Sequence, residues 1–287
     1  MKAVSGQRSA KNSEPRTPNP QLVFIHGWAT DSKVWKYQSD EFANRYDVIT
    51  FDLPGHAEKD VWSEPTLKPA VEKVMNKISD FGFRISDLKS QISNLKSQIF
   101  IGIGWSLGGQ ALLEAAAKRP GCFKALVLIG VSPCFTATRD FPFGQSAGVA
   151  KRMLKDLKKG FAGTMERFYL LNFTEDELSS PEARWFIELY KKPHTKSFRD
   201  SAVTSLEALL AIDLRDIISD IKIPVLIIHG EKDNVCPVDT GKYLAENLSD
   251  ARLEIFKDAG HAPFLTRHKE FNSIVKGFLK RIIHESS

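Results

Sequence analysis

The chain has 287 residues, 42% hydrophobic and 26% charged, with a formal net charge of +5. The composition is globular, and so small a positive balance, without a basic run interleaved with aromatics, argues against a nucleic-acid partner. Cys122, Cys134 and Cys236 show neither metal-site spacing nor an even-numbered framework, which points to free thiols in a reducing compartment.

Residues 1–20 are polar, with four basic side chains and three prolines, and read as a disordered tail. They lack the roughly 7–15-residue apolar core of a secretory signal, and no stretch of the chain reaches the roughly 18 apolar residues of a membrane span. A cytoplasmic protein with no membrane partner is expected. Leu22-Val23-Phe24-Ile25 reads as a strand ending at His26-Gly27-Trp28. Residues 32–45 read as a helix, 47–51 as a second strand ending at Asp52-Leu53-Pro54-Gly55-His56, and 69–81 as a further helix. Residues 85–98 repeat themselves, Ile85-Ser86-Asp87-Leu88-Lys89-Ser90-Gln91 then Ile92-Ser93-Asn94-Leu95-Lys96-Ser97-Gln98, and read as an insertion.

The apolar run Ile99-Phe100-Ile101-Gly102-Ile103 leads into Gly104-Trp105-Ser106-Leu107-Gly108, after which a helix pattern runs to 118 and stops at Arg119-Pro120-Gly121. A strand that ends in G-x-S-x-G and opens into a helix has the pattern of a nucleophile elbow, in which the serine stands at the carboxyl edge of a sheet. A strand follows at 125–130. Residues 136–205 show helical periodicity without sheet signals, in Met153, Leu154, Leu157 and Phe161, then Phe168, Leu171 and Phe173, then Trp185, Phe186 and Leu189. Strands at 224–228 and 253–256 and a helix at 269–283 complete the chain.

This alternation predicts an α/β fold, a mostly parallel central sheet flanked by helices. It divides the chain into core residues 21–135, a helical lid at 136–205 and core residues 206–287.

A serine hydroxyl needs a base and an orienting carboxylate. Among seven histidines, His261 lies in the glycine-flexed loop Ala259-Gly260-His261-Ala262-Pro263-Phe264 after a strand. His26 and His229 precede glycines at strand ends and read as structural, His56 as lining the cleft, His194 as part of the lid, and His268 and His284 as solvent-facing. Asp233 follows the strand 224–228 in Gly230-Glu231-Lys232-Asp233, whereas Asp213, Asp216 and Asp239 fall in or beside helices. Ser106, Asp233 and His261 then occur in the chain order of an α/β-hydrolase triad. The oxyanion donors are expected to be the backbone N–H groups of Leu107 and Trp28. Gly102-Ile103-Gly104 runs into the elbow instead of a dinucleotide fingerprint, and no H-x-x-x-H or C-x-x-C spacing occurs, so no cofactor and no metal are expected.

His26-Gly27-Trp28, Asp52-Leu53-Pro54-Gly55-His56, Gly104-Trp105-Ser106-Leu107-Gly108-Gly109, Ser132-Pro133-Cys134-Phe135, Leu206-Glu207 with Asp213-Leu214-Arg215, and Gly260-His261-Ala262-Pro263-Phe264 form a series. Together they resemble the pimeloyl-acyl-carrier-protein methyl ester esterases of biotin synthesis, the BioH family, over about residues 21–282. The resemblance implies hydrolysis of a methyl ester carried on acyl-carrier protein; a monomer is expected. It carries substrate contacts onto Trp28, Phe168, Tyr169, Leu170, Leu171 and Asn172, and a carrier-docking role onto Arg167. The stretch before Arg167 departs from the family pattern; there Lys151, Arg152, Lys155, Lys158 and Lys159 crowd a short amphipathic helix, its Met153, Leu154 and Leu157 turned inward, and offer an alternative basic docking face. Fold and triad leave open a general short-chain carboxylesterase, a lactonase or a carbon–carbon bond hydrolase, and a non-catalytic binding protein of the same fold.

Overall fold

The computed structural model describes residues 20–56, 60–89 and 99–284, with side chains given throughout except at 81–89. The expected tail at 1–19 and the second copy of the repeat lie outside the described residues. In chain order the elements are β1 (Gln21–Ile25), a 3₁₀ turn (Ser32–Trp35) running into α1 (Lys36–Phe42), β2 (Asp47–Phe51), α2 (Lys68–Lys89), β3 (Phe100–Trp105), α3 (Leu107–Lys118) and β4 (Ala125–Ile129). Then come α4 (Ala147–Lys159), α5 (Phe161–Leu171), α6 (Pro181–Tyr190), α7 (Lys196–Ala211), α8 (Arg215–Ile218), β5 (Val225–Gly230), α9 (Val238–Asn247), β6 (Ala251–Phe256), α10 (Pro263–Thr266) and α11 (His268–His284).

Among the described residues six strands form one sheet in the order β2-β1-β3-β4-β5-β6, every neighbouring pair parallel. The four inner strands are buried at every position, while β2 and β6, at the edges, expose some of theirs. That is the pattern of a parallel sheet covered on both faces. The strand order reverses between β1 and β3, opening a crevice beyond their carboxyl ends. The expected fold class is the observed one.

One helix outruns its expected bounds, and another crosses the expected end of the lid. α2 continues through Gly82 to Lys89, since one interior glycine costs a helix only about 1 kcal/mol. α7 crosses residue 205 and ends at Ala211, because Leu206, Ala208 and Leu209 keep its buried face apolar. Between β4 and β5 the helices α4 to α7 have clear local causes. Gly160 separates α4 from α5; Ser180 caps α6 by accepting from Ala183 N–H, with Pro181 at the first helical position; Thr195 caps α7 by accepting from Phe198 N–H. Among the described residues no helix is long and apolar enough to cross a membrane.

Candidate active site

Ser106 joins β3 to α3 with φ 51° and ψ −118°, a left-handed conformation costly for any residue with a β-carbon. The turn is held by Ser106 N–H donating to the Ile129 carbonyl (2.8 Å) and by the Ser106 carbonyl accepting from Gly109 and Gln110 N–H. Its tightness explains two glycines. A β-carbon on Gly104 would lie 2.6 Å from the Gly109 backbone, and one on Gly108 would lie 2.4 Å from the Ile25 carbonyl oxygen. Packing of α3 against β1 and β3 therefore forces the serine out at the sheet edge.

His261 and Asp233 reach the same edge from the loops after β6 and β5. His261 Nδ1–H donates to Asp233 Oδ2 at 2.6 Å, with both side chains buried. Asp233 Oδ1 accepts from Val235 N–H and Cys236 N–H, each at 2.8 Å, and His229 Nε2 lies 3.3 Å from Oδ2. Burial would raise the Asp233 pKa. The His261 charge and the donors from both histidines outweigh it and hold the carboxyl well below the usual carboxylate range. The His261 loop is fixed in turn: its N–H donates to the Asn172 carbonyl (2.9 Å) and its carbonyl accepts from the Trp105 indole (3.0 Å). Cys236, read from the sequence only as a free thiol, lies beside the Ser106 hydroxyl; burial and the Asp233 charge push its thiol well up, so it stays neutral.

Trp28 and Leu107 flank the serine. Neither backbone N–H has an acceptor among the described residues. Leu107 is the first residue of α3, where helix N–H groups lack intrahelical partners. Ser106 and Trp28 line an apolar cavity of about 220 Å³, closed by Phe135, Met153, Phe168, Leu171, Leu206 and Leu209. Val149 and Leu171 line the same cavity while 55% and 47% exposed, which puts them at its mouth.

The lid residues expected at the substrate separate. Phe168 and Leu171 line the cavity. Tyr169 instead turns its hydroxyl to the Ala29 carbonyl (3.1 Å), Leu170 is exposed, and the Asn172 amide bonds back to the Phe168 carbonyl (2.8 Å). The reason is helical geometry: 168 and 171 share one face of α5, while 169 and 170 lie on others. Phe135, Met153, Leu206 and Leu209, which no sequence reasoning placed at the substrate, come from the loop after β4, from α4 and from α7, and meet only in the folded chain. Lys151, Arg152, Lys155, Lys158 and Lys159 are all exposed on α4, whose Ala150 and Met153 face the cavity. Lys158 pairs with Glu207 (2.6 Å), and Arg167 is exposed on α5 with its guanidinium on the Thr164 hydroxyl (3.2 Å).

Comparison with known proteins agrees with this architecture. A family model described as the alpha/beta hydrolase fold matches residues 20–268. A pimeloyl-acyl-carrier-protein methyl ester esterase from Nitrosomonas europaea is 28% identical over 256 residues, 88% of this chain and 93% of that protein. One from Aromatoleum aromaticum is 29% identical over 267 residues, 91% of this chain and 98% of its own. Among solved structures, an esterase from Exiguobacterium antarcticum superposes with a TM-score of 0.75 at 24% identity, covering 92% of this chain and 93% of that one. An enol-lactonase from Burkholderia xenovorans gives 0.73 at 20% identity, covering 91% and 92%. At these identities the two structures establish a shared fold. By the family match and the extent of its relatives, this chain belongs to the alpha/beta-hydrolase family and is similar over most of its length to ester hydrolases.

Proposed function

We propose that this protein hydrolyses the methyl ester of a pimeloyl group carried on acyl-carrier protein, by a serine acyl-enzyme route. The observation that carries the reading is the strained Ser106 turn in the wall of a small apolar cavity, its hydroxyl beside Cys236, whose N–H donates to the Asp233 of a buried Asp233–His261 pair. Ser106 Oγ attacks the ester carbonyl as His261 Nε2 takes its proton. Asp233 keeps the other ring nitrogen protonated and offsets the imidazolium charge. Trp28 N–H and Leu107 N–H receive the negative oxygen of the tetrahedral intermediate. Collapse breaks the bond to methoxide, which takes the proton from His261 and leaves as methanol. Water, deprotonated by His261, then attacks the acyl-enzyme, and the second collapse returns the proton to Ser106 and frees the acid.

The substrate class rests on three supports. A cavity of about 220 Å³ is smaller than the roughly 300–1,000 Å³ of drug-sized sites and suits a short unbranched acyl chain. The relatives named above are methyl ester esterases of this substrate. The exposed cations of α4 stand on the outside of a helix that roofs the cavity, where an acidic carrier would meet them. Together α4 to α7 act as the lid of this site, and Lys151, Arg152, Lys155, Lys159 and Arg167 are its docking residues.

The test is turnover of pimeloyl-acyl-carrier-protein methyl ester by the wild type and by Ser106→Ala, at low and high salt. The expected result is salt-sensitive hydrolysis that falls by more than about 10³-fold in the variant. Ready cleavage of p-nitrophenyl butyrate with no turnover of the carrier-linked ester would replace this reading with a general short-chain carboxylesterase. Full activity in Ser106→Ala would remove the serine mechanism.

A further inference from the structure

Ala29, the residue after the proposed oxyanion donor Trp28, has φ 57°, a left-handed backbone conformation that is costly for alanine. Residues 28–31 form an irregular segment after β1, yet every one of them is buried or half-buried. Three helices inserted between β4 and β5 hold that segment by hydrogen bonds. From α7, the Ala202 carbonyl (3.0 Å) and the Ser205 hydroxyl (3.1 Å) accept from the Trp28 indole N–H. From α6, the Tyr190 hydroxyl accepts from Asp31 N–H (3.1 Å) and donates to Asp31 Oδ1 (2.8 Å). From α5, the Tyr169 hydroxyl donates to the carbonyl of the strained Ala29 itself (3.1 Å).

We propose that Tyr169 is a positioning residue for the oxyanion hole, its hydroxyl holding the Ala29 peptide in the left-handed conformation that aims Trp28 N–H at the reacting carbonyl. The inference rests on the serine-hydrolase reading and adds to it a role for the inserted helices beyond shaping the acyl pocket. A strained backbone conformation persists only where surrounding contacts over-determine it. Here Trp28 is fixed from one side through its side chain and Ala29 from the other through its carbonyl, so the peptide between them has little freedom. Burial keeps the Tyr169 phenol protonated far beyond neutral pH, so it remains a donor over the working range. Without that hydroxyl, Ala29 can relax toward negative φ, swinging the backbone at Trp28 away from where charge develops. The substrate's ground state needs neither N–H, so the loss falls on kcat and spares KM.

The experiment uses the full chain and p-nitrophenyl butyrate, which bypasses carrier recognition, together with the affinity for butylboronic acid, which forms a tetrahedral anionic adduct with an active-site serine. Tyr169→Phe is expected to lower kcat about tenfold with KM unchanged, and to weaken the boronic acid by a similar factor. Because glycine adopts positive φ without strain, adding Ala29→Gly to Tyr169→Phe is expected to restore most of both losses, which a merely structural role for the hydroxyl would not produce. Unchanged kcat and boronic acid affinity in Tyr169→Phe, even with a lowered thermal midpoint, would overturn the proposal. So would a loss that appears in KM alone, or a double variant no better than the single one. A wild type inert toward the ester and the boronic acid would overturn the serine-hydrolase reading and this proposal with it; an active wild type and an unaffected variant would overturn only the latter.

Discussion

Asp233 accepts three hydrogen bonds at once, from Val235 and Cys236 N–H on one carboxylate oxygen and from His261 on the other, with His229 Nε2 3.3 Å from that second oxygen. A carboxylate so surrounded stays ionised, and in the proposed mechanism its one task is to keep the proton of His261 on Nδ1. Asp233→Asn preserves shape but presents an amide N–H that turns the imidazole to the wrong tautomer. We expect kcat toward p-nitrophenyl butyrate to drop by about 10⁴-fold with the circular dichroism spectrum unchanged. A drop of less than tenfold would show that another group orients the histidine. This pair was legible in the sequence because each residue sits in a short loop directly after an apolar strand, and a parallel sheet collects such loops at one edge. The second histidine on the carboxylate was not. His229 read as structural because its placement beside Asp233 depends on how the loop after β5 folds back, with His229 Nε2 also reaching the Cys236 carbonyl at 2.8 Å.

At the scale of elements, α4 separates two tasks by face. Leu157 is buried, Met153 faces the cavity, and the five cations point outward. Helical spacing alone predicted the split between an inward apolar face and an outward charged one, since a side chain's face follows from its position in the 3.6-residue turn, but not that Met153 would meet a cavity. Lys158 is already engaged by Glu207, which leaves Lys151, Arg152, Lys155 and Lys159 as the more available charges, the first three in the turns that carry Ala150 and Met153. Replacing those three with glutamate is expected to lower the ratio of carrier-linked to free-ester kcat/KM about tenfold at low salt and to flatten its salt dependence. An unaltered ratio would mean that the carrier docks elsewhere. α5 was less legible. Phe168, Tyr169, Leu170, Leu171 and Asn172 follow one another in sequence, but each points to a different neighbour: the cavity, the Ala29 carbonyl, solvent, the cavity mouth and its own helix end. A resemblance read along a string of residues cannot resolve a helix into its faces.

At the scale of the whole molecule, two buried histidines behind the site tie stability to pH. Leu53 N–H donates to His26 Nε2 (2.8 Å), and burial lowers the His26 pKa because a proton there would displace that donor. Burial and the neighbouring His26 lower the His56 pKa from 6.5 to about 3. Above 6.5 both folded and unfolded chains leave His56 neutral and its contribution is constant; between 6.5 and about 3 only the unfolded chain binds the proton, so acidification favours unfolding. Each such histidine contributes a slope of about 1.4 kcal/mol per pH unit within its window. Urea titrations of the wild type should therefore lose stability as pH falls below about 6.5, and His56→Phe should remove about one histidine's share of that slope. Equal slopes in the two proteins would show that His56 takes up a proton in the folded state. By itself the sequence determined the fold class and the order of the strands, and it singled out a candidate Ser106–Asp233–His261 constellation, because hydrophobic periodicity, turn chemistry and the G-x-S-x-G spacing are local and each constrains its own segment; no bounds for the short helices α8, α9 and α10 were read from it. Only the tertiary structure decided which residues form the apolar cavity beside Ser106, that Tyr169 reaches Ala29 and that His229 approaches Asp233, because those contacts join α5 to the turn after β1, and α4, α7 and the loops after β4 and β5 to one cavity, and no spacing along the chain encodes how distant elements pack.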